Sequence, residues 1–151
     1  MATHLAAIKW AAKESGEEFL KGRFSRAHAI SFDGGTEVPA SASPHVVGKW
    51  AVEAAVDPEE MLVASLSSCH MLSFLHLARM AGFTITAYED SAQGTTAEVA
   101  PGRLAVTQVK LRPKIAWAGA APSKEELDRL HHQAHEICFI ANSVKTQVSV
   151  E

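Results

Sequence analysis

Asp57-Pro58-Glu59-Glu60-Met61-Leu62-Val63-Ala64-Ser65-Leu66-Ser67-Ser68-Cys69-His70-Met71-Leu72 carries the start signals of a long helix and places a cysteine in its middle. Asp57 has the short acceptor side chain of an N-cap. Pro58 has its φ preset for the first helical position, and Glu59 and Glu60 add negative charge where the helix dipole favours it. Apolar residues at Met61, Leu62, Leu66, Cys69, Leu72 and Leu75 or His76 recur at helical spacing, so the helix is expected to run through Arg79 and end at Gly82. Ala64, Ser65, Ser67, Ser68 and Ser73 keep its surface small, which suits a central, closely packed position.

The chain has one other cysteine, Cys138. Ser123 and Glu126 form the pattern of a capping box, and the stripe Leu127, Leu130, Ala134, Ile137 or Cys138, and Ala141 predicts a second helix with Cys138 near its end, facing the core. Each cysteine has polar neighbours, Ser67-Ser68 and His70 for the first, His135-Glu136 for the second. Two such thiols point to redox chemistry, although a buried cysteine can also serve as a small hydrophobe.

Working outward, His4 to Trp10 alternates as a first strand would. From Phe19 to Asp33, Leu20, Phe24, Ile30 and Phe32 share one parity and Lys21, Arg23, Ser25, Ser31 and Asp33 the other, which reads as the second strand of a hairpin. That parity puts Arg26 and His28 on the apolar face and Arg23 on the opposite one. A covered arginine needs an anionic partner, since it cannot shed its proton, whereas one at a strand end can reach water. Asp33-Gly34-Gly35 turns the chain into an irregular stretch to Val56, where Trp50 is placed to cover a pocket or to staple the loop. Further strands are expected at Thr84 to Asp90, Thr95 to Val99, Ala105 to Trp117 and Val144 to Val150. This is an α+β chain without internal repeat.

At 151 residues and 47% hydrophobic, the chain suits a single domain, 1-151. A net charge of −3 with 14 scattered basic residues gives nucleic acid no electrostatic track. Met1 to Trp10 lacks the charged start and apolar run of a secretory signal, and no membrane span is expected elsewhere, so the protein is expected to be soluble and cytoplasmic. In that reducing compartment thiols are reactive, metal-bound or buried rather than structurally bridged. His131, His135 and Cys138 fall at i, i+4 and i+7, a spacing that would suit zinc. No second cluster supports it, and no cofactor or metal is expected.

The run Asp57 to Leu72 resembles the first-cysteine helix of the OsmC/Ohr family, the osmotically inducible and organic hydroperoxide resistance proteins. Ala134-His135-Glu136-Ile137-Cys138-Phe139-Ile140-Ala141-Asn142-Ser143 and the valine-rich strand after it resemble the second-cysteine helix. The resemblance covers nearly the whole chain. It implies an OsmC-like fold of antiparallel sheets wrapped around two central helices, an intertwined homodimer, and a thiol peroxidase that reduces organic hydroperoxides. Cys69 would be the peroxidatic thiol and Cys138 the resolving one. Glu59, ten residues before Cys69, would orient an arginine, Arg23 or Arg26; the motif leaves the choice open and strand parity selects Arg26. Phe139 stands where many members have proline, and His70 follows the first cysteine. The pocket is expected to draw on Phe24, His28, Trp50, His70 and Phe139.

The chemistry is consistent with those roles. A free thiol titrates at about pH 8.5, so a reactive cysteine in an apolar pocket needs a fixed cation. Arg26 would supply it and the Glu59 carboxylate would hold the guanidinium. An external dithiol, a lipoyl-bearing protein or a small thiol, would reset the enzyme. Ten helical residues span about 15 Å, which leaves Glu59 and its arginine to act within their own subunit or on the Cys69 of a second one; in the second case a forced monomer is expected to be inactive.

Overall fold

The computed structural model describes residues Met1–Glu151 as two compact units, Met1–Met61 and Leu62–Glu151.

In the first unit, β1 (Ala6–Lys9) pairs antiparallel with β2 (His28–Phe32), with Ala6 opposite Phe32. Between them lies a short helix, α1 (Gly16–Leu20), not the expected strand from Phe19. Ser15 accepts a hydrogen bond from Glu18 N–H, Glu17 and Glu18 occupy the first turn, and Gly22 at φ 73° lets the chain leave the helix. The strand begins only at His28, so Arg26 lies before it. After the turn at Asp33-Gly34-Gly35, β3 (Glu37–Ala40) pairs with β2, with His28 opposite Ala40. The stretch expected to be irregular is therefore ordered. Ser43 caps α2 (Pro44–Val47), a 3-10 turn follows at Gly48–Trp50, and Ala40 bridges Val56 in parallel. Buried Ser41 accepts from Val52 N–H at 2.9 Å, which closes this loop on itself.

α3 (Pro58–Met80) begins where the capping residues predict. Asp57 Oδ1 accepts from Glu60 N–H at 2.7 Å and Glu60 Oε2 accepts from Asp57 N–H at 3.0 Å, so Glu60 completes a reciprocal box. At its far end Gly82 adopts φ 85°, Phe83 N–H reaches Ala78 O and Gly82 N–H reaches Arg79 O, the paired bonds of a Schellman stop. By length and composition α3 could cross a membrane, contrary to the expectation that no segment would. Its buried residues Leu66, His70, Phe74 and Ala78 lie four apart on one face, and two of its neighbouring positions are serines. That is the pattern of a helix packed against protein.

In the second unit, β4 (Thr84–Asp90) pairs antiparallel with β7 (Pro113–Ala118). β5 (Gln93–Ala100) pairs antiparallel with β6 (Arg103–Leu111), and β6 pairs in parallel with β8 (Gln147–Val150). The sheets are antiparallel as expected, save for that last pair. The single strand expected from Ala105 to Trp117 is two, because Arg112 N–H turns to the Asp90 carboxylate at 2.6 Å and Pro113 has no N–H to continue the ladder. α4 (Lys124–Ile137) is capped by Ser123, which accepts from Glu126 N–H at 3.2 Å; the Glu126 carboxylate pairs with Arg129 instead of closing the box.

Two cores result. Phe74, Ala78, Leu130 and Ala134 pack with Trp117, Tyr88 and Ile115 between α3, α4 and the β4–β7 sheet. Leu66, Val109 and Leu111 pack with Ile140 and Val148 beside β6 and β8. Each fully buried Leu or Phe contributes about 1.5–3 kcal/mol. Both cores share α3, so its register is fixed from either end.

Candidate redox site

Cys69 sits mid-way along α3, half-buried, and Cys138 is the C-cap of α4, 1% exposed; both are free thiols. The chain turns tightly after Cys138. Asn142 N–H returns to Cys138 O at 3.0 Å, Ser143 Oγ donates to Phe139 O at 2.7 Å, and Ala141 N–H points at the Cys138 sulfur at 3.5 Å. Burial pushes the Cys138 thiol up, the neighbouring Cys69 thiol adds to this, and the Ala141 and Ile140 N–H groups oppose it. The two sulfurs are thus neighbours with different environments. The open one can meet an oxidant, and burial disfavours the thiolate of the covered one.

In the first unit, an open groove of about 460 Å³ is lined by Ile8, Trp10, Phe19, Phe24, Arg26 and His28. Trp10, Phe19 and Phe24 form an aromatic cluster, with Phe19 and Phe24 4.4 Å apart by ring centroid. The Arg26 guanidinium lies 3.4 Å over the Phe24 ring and donates to the carbonyls of Phe24 and Gly22. His28 Nδ1 is 2.8 Å from the Arg26 carbonyl, which can only accept, so Nδ1 is the donor in this contact. Arg23 is exposed and faces Glu18 at 3.7 Å. Of the two arginines, Arg26 lines the groove and Arg23 does not; the strand-parity reason offered for Arg26 fails, because residue 26 precedes the strand.

No ion pair joins Arg26 to Glu59 within the chain; Glu59 is exposed and the capping bonds belong to Glu60 and Asp57. Backbone carbonyls and a ring face hold the guanidinium in place of the expected carboxylate. Of the expected pocket residues, Phe24 and His28 line the groove. Trp50 stands outside it, accepting Arg26 N–H on its carbonyl at 3.0 Å. Phe139 is 82% exposed. His70 is buried in the second unit, its Nε2 3.0 Å from His131 Nδ1. Sequence reasoning missed Trp10 and Phe19 as groove residues, though aromatic residues five before a capping serine and four after it were legible. His131, His135 and Cys138 do not converge, and no three potential ligands gather anywhere.

The fold and these thiols define a small α+β protein with a free, asymmetrically buried dithiol. The chain belongs to the OsmC family: the model for OsmC-like proteins matches residues 51–151. It is 47% identical to an OsmC-like protein of unknown function from Vibrio cholerae, with a TM-score of 0.93 over 100% of this chain and 99% of that one. An organic hydroperoxide resistance protein from Legionella pneumophila is 18% identical with a TM-score of 0.70, covering 100% and 95%. A second Vibrio cholerae structure, a putative organic hydroperoxide resistance protein with captopril in one of its active sites, is 20% identical with a TM-score of 0.70, covering 100% and 90%. No curated protein matches the chain.

Proposed function

We propose that this protein is a two-cysteine peroxidase that reduces organic hydroperoxides to alcohols in defence against oxidative stress. The observation that carries the reading is the dithiol itself: Cys69 half-open, Cys138 buried and beside it. Membership of a family that includes hydroperoxide resistance proteins supports it.

In the cycle, the Cys69 thiolate attacks the terminal oxygen of the hydroperoxide, the O–O bond breaks, and the alkoxide leaves as alcohol with one proton. Cys69 is then a sulfenic acid. The Cys138 thiol displaces hydroxide from it, giving the Cys69–Cys138 disulfide and water. An external dithiol, from a lipoyl-bearing protein or a small thiol, returns both cysteines to thiols and becomes a disulfide itself. Arg26 is the cation assigned to the thiolate, held ready by carbonyls and Phe24, and the homodimer is the assembly in which the cycle runs. Glu59 keeps a role only across such a dimer. The apolar groove suits a substrate with a hydrocarbon body.

The test is turnover of cumene hydroperoxide by purified protein with dihydrolipoamide as reductant. Consumption that depends on both protein and dithiol supports the reading; none above the uncatalysed background removes it.

A further inference from the structure

His70 and His131 are buried, 1% and 8% exposed, and the peroxidase cycle makes no use of them. His70 Nε2 lies 3.0 Å from His131 Nδ1, and this is the one side-chain hydrogen bond that joins α3 to α4. The rings are within 10° of parallel, and the His131 ring stacks at 4.2 Å on Phe74, one turn along α3 from His70. The remaining nitrogen of His70, Nδ1, is buried with no partner. The groups that face the pair are His135 and Asp128 on α4 and Asp90 on β4, and none of them bonds to it. A solvent-separated role does not suit such a pair, and no third ligand makes it a metal site.

Its position gives it a different use. His70 follows Cys69 directly on α3, and His131 lies seven residues before Cys138 on α4, about 10 Å along a rigid helix. The other contacts between these helices, Phe74 and Ala78 against Leu130 and Ala134, are apolar. Apolar packing resists separation but tolerates small slides; a hydrogen bond has a length and a direction. We propose that His70 and His131 act as a positioning clamp, whose hydrogen bond fixes the register of α4 on α3 and so holds Cys138 within reach of Cys69. The readiness of the dithiol to close is then set by two residues that hydrogen-bond to neither sulfur. This inference rests on reading Cys69 and Cys138 as a redox pair.

The experiment equilibrates the full-length protein with reduced and oxidised glutathione. Two protein thiols and one oxidised glutathione give the Cys69–Cys138 disulfide and two reduced glutathiones. The equilibrium constant, read by acid quench, alkylation and mass spectrometry, reports how well the sulfurs are placed. His131→Leu keeps apolar volume and removes the bond; it is expected to lower the constant about 100-fold, the scale of a misplacement near 1 Å. His131→Asn, which retains a polar group at the δ position, is expected to stay within about threefold of wild type. Leu130→Ala, which opens the same core without touching the bond, should lower the melting temperature and leave the constant alone.

If His131→Leu folds and keeps the wild-type constant, or if Leu130→Ala lowers it as much, the clamp is wrong. If His131→Leu does not fold, His70→Gln, which keeps a polar group at the ε position, against His70→Leu decides the matter by the same constant. A wild-type chain that cannot form the disulfide in glutathione also overturns it. Glutathione replaces hydroperoxide here, so a protein that ignores peroxides yet loses its constant on His131→Leu keeps the clamp and discards the peroxidase reading.

Discussion

The Cys138 sulfur accepts from the Ala141 N–H at 3.5 Å while its neighbour in the dithiol, Cys69, stands half-open on α3. Burial raises the Cys138 thiol, so its thiolate fraction at neutral pH is small and reagent cannot easily reach it. Iodoacetamide at pH 7 should therefore label Cys69 at least about tenfold faster than Cys138. Labelling of Cys138 should rise only in alkali. Peptide mapping of timed samples reads both rates, and equal rates would contradict the asymmetry.

Acid should weaken the fold through the histidine pair. Burial, followed by repulsion from His131 and His135, lowers His70 to about 4 from 6.5, and burial lowers His131 as well. Both are neutral in the folded protein and take up protons first in the unfolded chain. Their stabilisation is therefore complete above about pH 6.5 and is lost as pH falls from there toward 4. For His70 the loss is on the order of 3 kcal/mol. Urea unfolding between pH 7 and 4 measures it, and His70→Gln should flatten the slope.

Arg26 should matter for catalysis more than for stability. Its guanidinium is held by two carbonyls and the Phe24 ring, a fork that lysine cannot reproduce. Arg26→Lys, which keeps the charge but not the fork that positions it, should lower kcat/KM for hydroperoxide by about 100-fold, the scale of misplacing a reacting group by about 1 Å. The melting temperature should barely move. Glu59→Gln should likewise leave stability within about 0.5 kcal/mol, whereas Asp57→Ala, which removes the helix cap, should cost about 1 kcal/mol.

Gly94 on β5 has no room for a side chain: a Cβ there would stand 2.5 Å from Val63 Cγ2 on α3. Gly94→Ala should destabilise by about 1–3 kcal/mol through overpacking. Val63→Ala in the same chain should recover part of that loss. Denaturant midpoints of the two single variants and the double give the coupling, and strict additivity would contradict the contact.

Local signals served well wherever the chain needed no distant partner. Asp57-Pro58 and Gly82 bracket α3 to within a residue, Ser123 starts α4, and Thr84–Asp90 is a strand as expected. The errors lie where tertiary bonds override the pattern. Alternation from Phe19 cannot reveal that Ser15 caps a helix, and the run from Ala105 to Trp117 does not show that Asp90 will draw Arg112 N–H out of the ladder. At the site, the motif residues Cys69 and Cys138 were legible, and so was the burial of Cys138. The backbone carbonyls that hold Arg26 within the chain were not legible, because backbone oxygens leave no trace in sequence. The His70–His131 contact was invisible for a related reason. It joins residues 61 apart whose polar character reads as surface.

Mass spectrometry of the reduced protein after one equivalent of cumene hydroperoxide, with no added thiol, tests the two-cysteine cycle most directly. The expected result is a loss of two hydrogens within one chain, mapped to a Cys69–Cys138 disulfide, with Cys138→Ser giving instead a sulfenic acid at Cys69. Unchanged mass with both thiols free to alkylation would contradict the peroxidase function.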